Sequence, residues 1–93
     1  MKDNISVQMI FATDTDGKIT PLRFKFKNEQ GEIMSYKIEK VKQKSAKNTI
    51  GQTFLCEIID CGSFKTVCLS YHFGEHRWSL IQNPSSIHFL MYE

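Results

Sequence analysis

Long apolar runs are missing from this 93-residue chain: none approaches the ~20 residues that a membrane-spanning helix needs. The opening MKDNISVQMIFATD has one lysine, then an aspartate, and no apolar stretch adequate for a secretory signal. A soluble, cytoplasmic protein with no membrane partner is therefore expected. Cysteine is scarce. Three is an odd number, which excludes a closed disulfide framework, and reduced thiols in a cytosol are the simplest reading. There is no glycine-rich phosphate loop, no nucleophile elbow, no internal repeat and no low-complexity tract. No cofactor is implied.

What is present is a globular composition, 41% apolar and 24% charged, in a chain short enough for one domain. Its clearest stretch is TFLCEIIDCGSFKTVCLSYHFGEHRWSLIQ, residues Thr53 to Gln82, which reads as three antiparallel strands. Cys61-Gly62 makes the first hairpin turn and sets Asp60 opposite Ser63, Ile58 opposite Lys65, Cys56 opposite Val67 and Phe54 opposite Leu69. Gly74-Glu75 makes the second, glycine first as in a type II′ turn, and sets Trp78 opposite Tyr71 and Leu80 opposite Leu69. With period-two alternation, both turns deliver their large apolar residues to one face.

Upstream, Ile5, Val7, Met9 and Phe11 alternate as a first strand, and Thr13 to Lys18 is a turn. Ile19 to Lys27 has Leu22, Phe24 and Phe26 on one parity and Arg23, Lys25 and Lys27 on the other. Pro21 lacks an N–H and suits the start of a strand or an edge. After the Asn28–Gly31 turn, Ile33 to Lys42 forms a third strand, and the parity change at Val41 predicts a bulge or bend near Glu39-Lys40.

The expected organisation is a single domain over 1–93. It has an N-terminal meander (1–42), a loop (43–52), a C-terminal meander (53–82) and an apolar tail (83–93) that is a short helix or a seventh strand. The fold class is all-β: six mainly antiparallel strands forming a small half-open barrel or curled sheet. The expected core is Val7, Met9, Phe11, Leu22, Phe24, Phe26, Tyr36, Ile38, Phe54, Cys56, Ile58, Val67, Leu69, Tyr71, Trp78 and Leu80.

Net charge is only +2, but Lys18 to Lys47 holds nine basic residues against three acidic ones. Arg23, Lys25, Lys27, Lys37, Lys40 and Lys42 are the candidate nucleic-acid-binding residues, since lysines along strands can meet phosphates. A stacking platform is the missing half, because Phe24, Phe26 and Tyr36 share the core parity. The competing reading is a solvated face whose lysines discourage edge pairing.

Cys56, Cys61, Cys68, His72 and His76 do not have the spacing of a zinc knuckle, and Cys56 and Cys68 point to opposite faces. The Asp14-Thr15-Asp16-Gly17 stretch fails the calcium-loop frame and reads as a turn. Cys68 and His72 lie about 13 Å apart along one strand, too far for a nucleophile and its base. No metal site and no catalytic residue is assigned, and the chain is not expected to be an enzyme.

In order, ITPLRFKF, YKIEKV, FLCEI, VCLSY and RWSL resemble a group of small uncharacterised all-β proteins from clostridia and related Gram-positive bacteria. Gly17, Ile19, Thr20 and Pro21 match the group's G-x-I-T-P-x-x-F/W opening, Tyr36, Ile38 and Val41 its Tyr-x-Ile/Val-x-x-Val strand, and Trp78 its late tryptophan. The likeness covers Ile19 to Leu80 and implies a compact antiparallel β-fold of a bacterial protein. It implies no activity and carries over no functional residue. The cysteines, His72, His76 and the tail after Asn83 depart from the group's pattern. The functional expectation is a non-catalytic binding or interaction module whose partner is a protein or a second copy of itself. The alternative is a nucleic-acid-binding barrel, and an enzyme or metal protein is a distant third.

Overall fold

The computed structural model describes residues 4–81, and every regular element among them is a strand. These are β1 (Asn4–Thr13), β2 (Ile19–Lys27), β3 (Ile33–Lys37), β4 (Lys40–Lys44), β5 (Gly51–Asp60), β6 (Ser63–His72) and β7 (Arg77–Ile81). They form one antiparallel sheet in the order β3-β2-β1-β7-β6-β5-β4. The helix or strand expected over 83–93 lies outside the described residues.

The two outer strands of this sheet are consecutive in the chain. The expected third strand is therefore one bent run, which raises the count from six strands to seven. The bend falls at Ile38-Glu39. Ile38 N–H donates to Leu22 O at 2.9 Å, on the β2 side, and Glu39 N–H donates to Glu57 O at 2.8 Å, on the β5 side. The strand pairs with β2 before the bend and with β5 after it. In the middle of the sheet, β1 and β7 pair from Asn4↔Ile81 to Val7↔Trp78 and join the two meanders. A meander closed in this way curls into a half-barrel with its large side chains inside.

The tight turns follow from local chemistry. Asp14 Oδ1 accepts from the N–H groups of Asp16 and Lys18, and Asn28 Oδ1 does the same for Gln30 and Glu32, each at 2.9 Å. Each of these two turns ends on a left-handed glycine, Gly17 or Gly31. Cys61 (φ 54) and Gly62 (φ 80) form the left-handed pair of a type I′ hairpin. The expected register of β5 with β6 is found in full, as are Leu69↔Leu80 and Tyr71↔Trp78 between β6 and β7. The second turn differs in type. Gly74 is not left-handed. His76 is (φ 53), held by its N–H to Phe73 O and by Nδ1 against the Tyr71 hydroxyl at 3.4 Å.

Phe24, Ile38, Phe54, Cys56, Ile58, Leu69, Tyr71 and Trp78 form the buried interior together with Ile19. Phe11, Phe54, Tyr71 and Trp78 make a continuous aromatic cluster with ring centroids 5.0–5.6 Å apart. Two expected core residues differ. Leu22 is 44% exposed, because Phe11 pairs with Pro21 and Ile10 with Arg23, leaving Leu22 as the extra residue of a β-bulge. The bulge turns Pro21 inward, where it is fully buried, and frees the Leu22 carbonyl for Ile38. Phe11 is 37% exposed and covers Tyr71 and Trp78 from the rim.

Candidate binding surfaces

The bulge at Leu22 also fixes which way the basic residues face. From Arg23 on, β2 alternates Phe24 and Phe26 inward with Arg23, Lys25 and Lys27 outward. Lys37 stands opposite Arg23 on β3, and Ser35 opposite Lys25. The Arg23 guanidinium donates to Ser35 Oγ at 3.1 Å, which orients it along the sheet. On β1, Gln8 stands opposite Lys25 and Ile10 opposite Arg23. No aspartate or glutamate occurs within β1, β2 or β3.

Two grooves lie along this acid-free face. A groove of about 440 Å³ runs among Ser6, Gln8, Lys25, Lys27, Ile33 and Arg77. A second, of about 380 Å³, runs among Gln8, Ile10, Arg23, Lys25 and Ser35. They share Gln8 and Lys25 and so form one trough across β1 and β2. Its edge cation Arg77 is already paired to Glu75 at 2.6 Å. Its apolar points are Ile10 and Ile33, which are 60% and 61% exposed. Isolated exposed aliphatics are ordinary, but these two sit among four unpaired cations within the described residues.

The other two candidate residues belong elsewhere. Lys40 stands opposite Glu57 in the β4–β5 ladder, and Lys42, at a second bulge, reaches Thr66 Oγ1 at 3.3 Å. The six cations expected to act together are thus split into a group of four on β2 and β3 and a pair around the bend. Phe24 is 1% exposed and packs against Phe26 and Tyr36 inside the half-barrel, while half-buried Phe26 lines the first groove.

The cysteine and histidine set does not converge. Cys61 is exposed in its turn, Cys56 lies in the core and Cys68 is buried on the opposite parity. Burial pushes the Cys56 thiol up to about 12 and the Cys68 thiol up to about 11, so both are neutral near pH 7. Among the described residues, no three His, Cys, Asp or Glu side chains gather as metal ligands.

Two further features lie outside the expected sites. One is the clamp at the β3–β5 gap, where the Tyr36 hydroxyl donates to Asp60 Oδ1 at 3.1 Å and Lys65 Nζ donates to Asp60 Oδ2 at 2.9 Å. Lys65's hydrogen bond, helped by Tyr36, holds the Asp60 carboxyl below its ordinary value. Desolvation and the bond to Asp60 raise Tyr36. The other is an exposed cross-strand pair, Ile59 and Phe64, near the tip of the β5–β6 hairpin.

No protein-family model matches the chain, and comparison with curated proteins and with solved structures also finds no match. Among the described residues, no helix is long and apolar enough to cross a membrane.

Proposed function

We propose that this chain is a non-catalytic interaction module that docks a protein partner with an acidic, partly apolar surface onto the outer face of β1, β2 and β3. The observation that carries this reading is the acid-free trough, where Arg23, Lys25, Lys27 and Lys37 surround Ile10 and Ile33. Charge complementarity of this kind steers encounter and excludes basic partners, and the aliphatic points supply the contact that water leaves. The three unpaired thiols fit a reducing compartment, the cytoplasm.

The same four cations favour nucleic acid as the second reading, because a row of exposed Arg and Lys without carboxylates suits a phosphate backbone. Among the described residues no aromatic on this face is fully exposed, which ranks nucleic acid below a protein, since strand-binding barrels rely on base stacking. A second copy of the chain is the version of the protein reading that Ile59 and Phe64 support, as an exposed apolar pair on a sheet.

The test is a pull-down from nuclease-treated host lysate with the natural chain and with Lys25→Glu/Lys27→Glu. A defined protein retained by the natural chain, and lost on charge reversal and at high salt, is the expected result. Equal capture by both chains overturns the trough as the site. Capture that vanishes with nuclease replaces the protein reading with the nucleic-acid one. Light scattering of the natural chain and Phe64→Ser at micromolar concentration decides self-association: a monomer in both removes the homo-oligomer version.

A further inference from the structure

On β6 and β7 the side chains that alternate with the core residues are buried as well. Leu69, Tyr71, Trp78 and Leu80 belong to the interior, so Cys68, Ser70 and Ser79 lie on the outer face of the sheet. All three are nonetheless shielded from water: Cys68 is 1% exposed, Ser70 8% and Ser79 7%. Their neighbours on that face are half-buried, Thr53 opposite Ser70 and Leu55 and Ile81 on either side of Cys68. Small side chains on the uncovered face of an antiparallel sheet stay wet, so this patch has a cover.

The cover has clear limits. Phe64 and Thr66, further along β6, are exposed, and so is Ser6, which pairs with Ser79 from β1. The patch therefore spans β5, β6 and β7 and stops short of the β1–β3 trough. The described strands form a single layer, and none of them lies over it. The chain beyond them is residues 1–3 and 82–93. Extended chain advances about 3.3 Å per residue, which gives residues 1–3 a reach of about 10 Å and residues 82–93 one of about 40 Å. The first segment starts from β1, two strands away from β6, and ends before it could cover the patch. The second starts from Ile81, directly opposite Cys68. It contains Ile87, Phe89, Leu90, Met91 and Tyr92, and Glu93 is the only Asp, Glu, Lys or Arg in it. The patch is equally free of charge, being made of Thr53, Leu55, Cys68, Ser70, Ser79 and Ile81.

We infer that the C-terminal segment 82–93 docks within its own molecule on the outer face of β5, β6 and β7, over Cys68, Ser70 and Ser79. This withholds one half of the outer face from partners and leaves the β1–β3 half open. The inference does not depend on what the trough binds.

The test is NMR of the full chain. Side-chain protons of Ile87, Phe89, Leu90, Met91 or Tyr92 should show NOEs to Cys68, Ser70 and Ser79, and a sample mixing labelled and unlabelled chains should place them within one molecule. Thiol labelling gives a second readout, in a Cys61→Ser background that silences the exposed thiol. Phe89→Ser/Leu90→Ser should speed labelling of Cys68 by about tenfold or more, the factor for losing one buried apolar side chain, while Cys56 in the core stays as slow as before. NOEs from 82–93 to none of the three residues overturn the inference. So do NOEs found only between molecules, which give the cover to a second copy, and NOEs to the patch from residues 1–3 instead. Unchanged labelling of Cys68 overturns it too, and if Cys56 speeds up equally the NOEs of the natural chain decide.

Discussion

The bend at Ile38-Glu39 leaves a gap on each side, and the two gaps are treated differently. Between β3 and the end of β5, Tyr36 and Lys65 converge on Asp60 and tie the strands together. Between β4 and the start of β2 no side-chain hydrogen bond among the described residues joins the two strands. A half-barrel that needed only to close would stitch both gaps alike. The difference teaches that the sheet is held by its core and by one clamp rather than by a seam at both gaps.

The sharpest way to break that comparison is to remove the core residue that lies beneath the open gap. Phe54→Ala should destabilise by about 3–5 kcal/mol, read from urea unfolding, because a fully buried aromatic leaves a cavity. Gly51→Ala comes next, at about 1–3 kcal/mol, since an added methyl would collide with the Tyr71 carbonyl where the loop meets β6. Tyr36→Phe should cost about 0.5–1 kcal/mol, the range of one partly exposed hydrogen bond. At the bottom of the scale, Lys42→Gln/Lys44→Gln should stay within about 0.5 kcal/mol of the natural chain, as exposed changes do. A Lys42/Lys44 variant that destabilises more than Tyr36→Phe would invert the comparison.

The clamp also has a pH signature. Asp60 is depressed in the folded state, so its contribution is present above the unfolded carboxyl value of about 3.9 and is lost as pH falls through the lower folded value. Tyr36 is raised, so its contribution is present below the ordinary phenol value and is lost as pH rises through the folded one. Denaturant midpoints of the natural chain and Asp60→Asn should therefore differ at pH 7 and converge in acid. A constant difference down to pH 2 would show that Asp60 does not act through its charge.

How much of this was readable from residue order depends on whether one strand or two decided it. The β5–β6–β7 registers were readable because Cys61-Gly62 and Gly74-Glu75 each fix a hairpin locally and the apolar parity checks it. The bend was readable one residue late, from the parity break at Val41. The bulge at Leu22 was not. Period-two alternation through Leu22, Phe24 and Phe26 is unbroken in the sequence, and only the partner strand, through Phe11↔Pro21, reveals the extra residue. Left-handed His76 was hidden for a similar reason, since the contact that holds it comes from Tyr71.

The basic run was readable as charge. Its division into a trough and a separate pair was not, because it depends on the chain changing partners at Ile38. The gap between β4 and β2 was invisible for the same reason, being the space between strands that do not pair.

Amide hydrogen exchange at Ile38 and Glu39 tests the account most directly, because these two N–H groups bond to opposite edges of the sheet. Slow exchange at both, comparable to the β5–β6 ladder, is the expected result. Fast exchange at Ile38 with a protected Glu39 would mean that the edges never meet, and the two gaps would be one open side.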